Sequence, residues 1–214
     1  ALQPAMSQPV LHGAAYSVYV RAARMALAEK GVAYTLVPVD VFAPGGPPAG
    51  HLARQPFGKI PAFEHDDFML YETGAITRYV DEAFDGPALQ PADPKARARM
   101  AQAIGIQDSH VYPDLVWGIF MERSEAARRG RPVDKTLVAR LVPKAEVCLA
   151  ALEALAEGRW LAGPALTLAD LHAAPMFALF LRTPEGEAML PRHPRLAAWW
   201  AAISARPSFT ATAD

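Results

Sequence analysis

The sequence predicts a small α/β domain followed by an all-helical one. Three observations carry this. A strand–helix–strand pattern opens the chain, a short hairpin follows a loop rich in Pro and Gly, and beyond residue 94 every apolar repeat has helical spacing. Between the two regions, the ten residues from Asp85 to Pro94 hold three prolines and read as an extended boundary. We therefore expect domains at 7–86 and 93–210.

Val10-Leu11-His12 reads as a short buried strand. Gly13 to Tyr16 form a loop, and Ser17 opens a helix that runs to about Lys30, with Val20, Ala23, Ala26 and Leu27 on one face and Gly31 as its stop. Tyr34 to Val37 has the residue types that suit a pleated surface, so strand, helix and strand form a parallel pair with a crossover. In Ala43 to Gly50, six of eight residues are Pro or Gly, which leaves only a surface loop. Ile60–Glu64 and Phe68–Tyr71 form a hairpin around His65-Asp66-Asp67, and a helix after Thr73 turns Ile76, Tyr79, Val80 and Ala83 inward. In the second region, Lys95 to Arg129 is one long helix bent at Pro113. Val133 to Ala156 is another, shifted at Pro143, and further helices open at Thr167 and at Pro194.

Composition narrows the function. At 214 residues, 52% hydrophobic and 20% charged, the chain is an ordinary globular mixture, and a net charge of −1 gives no reason to expect nucleic acid or an anionic membrane as partner. No apolar run approaches the roughly 20 residues that span a bilayer. No secretion signal is visible, and Ala1–Ala5 before Met6-Ser7 read as a cloning remnant. Cys148 is the single cysteine, so no internal disulfide can form and a reducing cytoplasm is expected. The six histidines show no metal-ligand spacing, and no metal site is expected.

The candidate chemistry lies at three places. Ser17 stands at the first helix turn, where serine is a common N-cap worth about 1 kcal/mol. Ile60-Pro61 enters a strand, where a cis bond can be locked and the preceding backbone can pair with an extended peptide. Glu72-Thr73 offers a carboxylate, a hydroxyl and a helix start suited to the two ends of an amino acid; Thr73 is also a plausible N-cap. In the second region, Tyr112, Val116 and Phe120 lie on an apolar helical stripe that serves as core or as pocket lining.

Together these segments resemble the cytosolic glutathione transferases, in particular their serine-type, phi- or theta-like bacterial members. Leu11–Gly31, Pro56–Phe63 with Tyr71–Ile76, and Trp160–Gly163 with Thr167–Asp170 carry the likeness over nearly the whole chain. The resemblance implies a thioredoxin-like glutathione-binding domain, an all-α C-terminal domain and an active cleft between them. It implies that Ser17 contacts the thiol sulfur of glutathione, with Tyr16 as the alternative. Ile60, after Pro61 fixes its bond, would pair with the cysteinyl backbone, and Lys59 would lie near the glycyl carboxylate. Glu72 and Thr73 would bind the γ-glutamyl end, Thr73 standing where the family usually has serine. His51 belongs to a stretch outside the family's site, and the Pro/Gly loop supplies no His or Lys before it. Tyr112, Val116 and Phe120 would line the pocket for a small hydrophobic electrophile. Asp170 would serve folding. The implied protein is a cytoplasmic homodimer active in detoxification, with glutathione as co-substrate and no other cofactor. A glutathione-dependent isomerase or dehalogenase, or a non-catalytic binding protein on the same scaffold, are the alternatives. With serine at position 17 and Cys148 in an apolar helix stretch, no thiol–disulfide exchange is expected.

Overall fold

A computed structural model describes residues 7–213; the reading of Ala1–Ala5 lies outside the described residues. The first unit runs through Ala88 and is joined by the residues from Ala211 onward, while Leu89–Thr210 form a second unit.

In the first unit, strand β1 (Val10–His12) is followed by helix α1 (Val18–Glu29) and strand β2 (Thr35–Val37). Helix α1 stops as glycine chemistry requires. Gly31 adopts φ +67°, and Val32 N–H and Gly31 N–H close on the Leu27 and Ala28 carbonyls at 2.9 and 3.1 Å. After the Pro/Gly loop comes a short helix, α2 (Ala49–Leu52), which begins inside the stretch read as loop. Strands β3 (Ala62–His65) and β4 (Phe68–Tyr71) form the expected hairpin, and helix α3 (Thr73–Ala83) follows. The sheet order is β2-β1-β3-β4, with β1 and β2 parallel and the other neighbours antiparallel. Leu11 and Phe63, paired across β1 and β3, are fully buried together with Leu27 and Ile76 from the helices. This is the thioredoxin-like arrangement.

The second unit is helical. Asp93 caps α4 (Pro94–Ile106) through Ala96 N–H at 2.8 Å. The run continues to Arg129, but Gln107–Phe120 is π-helical before α5 (Met121–Arg129). The expected long α-helix therefore holds 14 residues of wider winding. Pro113, inside that stretch, has no N–H and cannot close an α-helical bond. Gly118 sits one wide turn later: a Cβ there would meet Leu141 Cδ1 at 2.4 Å and the Pro113 carbonyl at 3.2 Å. Helices α6 (Lys135–Leu155), α7 (Leu168–Phe180), α8 (Pro184–Met189), α9 (Pro194–Ser204) and α10 (Pro207–Thr210) complete the unit.

Helix α7 starts with a full capping box between Thr167 and Asp170. The fully buried Asp170 carboxylate accepts from Thr167 N–H at 2.7 Å, Leu161 N–H at 2.8 Å, Trp199 Nε1 at 2.9 Å and Thr167 Oγ1 at 3.1 Å. One side chain thus joins the loop at Leu161, the start of α7 and the indole of α9. Burial pushes its carboxyl up to about 6, against the pull of those donors. Among the described residues, no helix is long and apolar enough to cross a membrane.

Candidate active site

Sheet register brings the three candidate segments together. His12, the last residue of β1, pairs with Ala62 at the start of β3, and Ala62 pairs with Tyr71 at the end of β4. The parallel partner of His12 is Val37, the last residue of β2. The chain therefore leaves β1 toward Ser17, leaves β2 toward Asp40, enters β3 from Lys59 and Ile60, and leaves β4 toward Glu72, all at one end of the sheet.

Ser17 is the N-cap of α1, with φ −75° and ψ 126°. Its Oγ accepts the Val20 N–H at 3.4 Å, a long bond, and is only partly buried. Among the described residues the hydroxyl proton has no acceptor. An O–H donor and the positive end of a helix thus converge on one point, which suits an anion.

Tyr16 is differently engaged. Its hydroxyl donates to Asp40 Oδ1 at 3.0 Å, and the same oxygen takes the Phe42 N–H at 2.9 Å. The Tyr16 ring stacks on Phe42 at 6.0 Å. Removal of the hydroxyl from water, then its bond to Asp40, pushes the phenol up to about 12. The ring as a whole is half-exposed, so the change belongs to the hydroxyl end.

The Ile60-Pro61 bond is cis, as expected from the sequence. Pro61 is buried, Ile60 half-buried and Lys59 exposed. Among the described residues, the Ile60 N–H and C=O make no backbone hydrogen bond. The preceding residue is held from both sides. Gln55 Oε1 accepts Phe57 N–H at 2.7 Å and Lys59 N–H at 3.2 Å, and His51 Nε2 donates to the Lys59 carbonyl at 2.6 Å. His51 and Gln55 are each 2% exposed. Sequence reading left His51 outside the site; a histidine buried on a four-residue helix gives no periodic signal that could have marked it.

Beneath α2 lies a polar cluster. Arg54 Nε donates to Glu64 Oε1 at 2.5 Å, and His12 Nε2 is 3.3 Å from the same oxygen, outside good hydrogen-bond angles. Burial lowers the His12 pKa against the opposing pull of Glu64, and the Arg54 hydrogen bond lowers that of Glu64.

Glu72 sits at φ 70° and ψ 116°, a conformation that costs a residue with a side chain about 1–3 kcal/mol. Its carbonyl accepts Ala75 N–H and Ile76 N–H at 3.0 and 2.9 Å, which makes Glu72 the N-cap position and Thr73 the first helical residue. The alternative reading of Thr73 as N-cap is thereby corrected. The Thr73 residue is 6% exposed, while the Glu72 side chain is exposed.

In the second unit, Tyr112 and Phe120 are half-buried on the π-helical stretch and Val116, 3% exposed, belongs to the core. Tyr112 lies against Trp117 at 6.4 Å, and the Arg182 guanidinium stands 5.5 Å over the Phe120 ring. Cys148 is buried, and burial pushes its thiol up to about 11.

Comparison with known proteins gives the family of the chain. Residues 11–88 match the family described as glutathione S-transferase, N-terminal domain, and residues 112–207 match glutathione S-transferase, C-terminal domain. The chain is 33% identical over 194 residues to glutathione S-transferase F9 of Arabidopsis thaliana, covering 89% of each chain. Among solved structures, glutathione transferase F7 of Populus trichocarpa aligns with a TM-score of 0.82 at 32% identity, covering 95% of this chain and 97% of the other. Glutathione S-transferase I of maize, solved with an atrazine–glutathione conjugate, aligns at 0.84 and 28% identity, covering 96% of each. With the thioredoxin-like sheet, the cis-proline entry to β3 and the capping box of α7 all in place, the chain belongs to the glutathione S-transferase family.

Proposed function

We propose that the protein transfers glutathione to small hydrophobic electrophiles, with Ser17 holding the glutathione sulfur as thiolate. The observation that carries this reading is the state of two neighbouring hydroxyls. Ser17 Oγ has a proton to donate at the head of α1, whereas the Tyr16 proton is given to Asp40. A free thiol with pKa near 8.5 is only a few per cent ionised at neutral pH; a hydroxyl donor and a helix N-terminus together favour the anion. The thiolate then attacks an electrophilic carbon, the leaving group departs or a double bond takes up the electron pair, and the thiol proton passes to solvent. This chemistry requires no resident metal or organic cofactor.

Glutathione lies along the sheet end as an added extended segment. The backbone of Ile60 pairs with its cysteinyl residue, Glu72 and Thr73 receive the γ-glutamyl end, and Lys59 lies near the glycyl carboxylate. Tyr112 and Phe120, with Val116 behind them, serve the electrophile. The exposed side chains of Phe57, Phe68, Met69 and Tyr71, at 68, 44, 46 and 37% exposure, support a homodimer that covers them. A lone, buried cysteine is in keeping with a cytoplasmic setting.

The test is retention on immobilised glutathione together with conjugate formation from a generic aryl halide. Folded protein that is neither retained nor forms a conjugate would overturn the reading.

A further inference from the structure

We infer that His51 is a positioning residue for glutathione, acting through the single peptide unit that joins Lys59 to Ile60. The inference rests on the glutathione reading above. The Lys59 carbonyl and the Ile60 N–H belong to one planar amide, and in a trans amide they point in opposite directions. A grip on the oxygen therefore fixes the direction of the N–H. His51 Nε2 provides that grip at 2.6 Å, from a ring that is almost fully buried. A carbonyl oxygen only accepts, so Nε2 carries the proton in this bond. The same bond polarises the amide and strengthens Ile60 N–H as a donor.

The grip is rigid because both neighbours of the ring are tied down. Four residues further on, Gln55 Oε1 holds the Lys59 and Phe57 N–H groups, so both backbone polar groups of Lys59 are bound by α2 and its continuation. Between His51 and Gln55, Arg54 pairs with Glu64 on β3 and donates to the Gly50 carbonyl at 2.8 Å. The short helix is thus fastened to the strand whose entrance it orients. His51 touches none of the reacting atoms, and its effect falls on how well glutathione is held rather than on the ionisation of its sulfur.

The experiment compares His51→Phe, which keeps a ring of similar size without a donor, with His51→Gln, whose amide nitrogen reaches where Nε2 stands. Glutathione Kd is measured by calorimetry, with KM, kcat and the thiolate pKa of bound glutathione. For His51→Phe, Kd and KM rise about 5- to 20-fold, kcat at saturating glutathione stays within about threefold, and the thiolate pKa is unchanged. His51→Gln returns Kd to within about threefold of the parent. Should His51→Phe not fold, His51→Asn, too short to reach the carbonyl, carries the same comparison. A folded variant without the donor that binds glutathione like the parent overturns the inference. So does a loss of kcat equal to the rise in KM, a displaced thiolate pKa, or a folded Gln variant as weak as the Phe variant. If the parent protein itself does not bind glutathione, the functional reading fails first and the positioning role fails with it.

Discussion

Replacing Ser17 with alanine separates its two roles by size. As a cap, Ser17 holds Val20 N–H at 3.4 Å, beyond the usual range, so the stability loss falls at the low end for an N-cap, about 0.5–1 kcal/mol. As a donor to a thiolate, the hydroxyl contributes a charge-assisted hydrogen bond of about 1.5–3 kcal/mol. Because 1.36 kcal/mol corresponds to one pKa unit, losing it raises the pKa of bound glutathione by about 1–2. The thiolate fraction at neutral pH then falls about tenfold or more, and kcat with it. The glutathione Kd stays within a few-fold, since the backbone of Ile60 and the carboxylate of Glu72 are untouched. The sign gives a second signature: the deficit shrinks as pH rises toward the new pKa, where solvent removes the proton unaided. Ultraviolet difference titration of enzyme-bound glutathione, with a kcat profile from pH 6 to 9, reads both effects. An unchanged thiolate pKa would reduce Ser17 to a helix cap.

Glu72→Ala should raise the glutathione KM by about tenfold with a smaller loss of kcat, because the γ-glutamyl end is remote from the sulfur; Glu72→Gly should do the same while unfolding at equal or higher urea, since it relieves the φ of 70°. Unchanged glutathione affinity in calorimetry of either variant removes the assignment. Cys148→Ser should keep conjugation activity per folded molecule, and the native thiol, held up to about 11 by burial, should resist alkylation at pH 7.5; a folded variant without activity would bring the thiol into the reaction. The carboxyl of Asp170, up at about 6 against an ordinary 3.8, binds its proton more tightly folded than unfolded, so its stabilisation is present below about pH 4 and is lost as pH rises to about 6, on the order of 3 kcal/mol. The stability gap between the parent and Asp170→Asn, from urea midpoints, should therefore shrink over that range; a gap that is flat or widens would mean that the four donors outweigh burial.

What the sequence disclosed was local. Ser17 ahead of Val20, Ala23 and Leu27, and Thr167 three residues before Asp170, are signals written within one helical turn, and both caps stand where that pattern puts them. The hairpin was readable for the same reason, since its two strands are joined by two residues, Asp66 and Asp67. The π-helical winding of 107–120 was not readable, because a stripe of apolar residues looks alike in either winding until Leu141 arrives from α6 to select Gly118. The distinction between Glu72 and Thr73 as cap was equally closed, since it turns on a φ that residue type does not announce. Tyr16 remained a rival to Ser17 in the sequence because its partner Asp40 lies 24 positions away and meets it only once β1 and β2 lie parallel.

The same distinction explains why glutathione is easier to infer from this chain than its electrophile. On the proposed reading, a peptide-like co-substrate is met largely by backbone: one amide at Ile60, a helix start at Glu72-Thr73, and the head of α1. Backbone groups are presented by register and turn geometry, and those leave marks such as Ile60-Pro61 and a capped helix. The rest of that surface depends on which side chains hold the backbone still, and here His51 and Gln55 are matched to the Lys59 backbone and Arg54 to Glu64 rather than to any repeating pattern. An apolar electrophile, by contrast, is met by side-chain shape alone. If Tyr112 and Phe120 serve it as proposed, they can be exchanged for other apolar residues, and specificity there is free to vary while the proposed thiolate chemistry stays fixed.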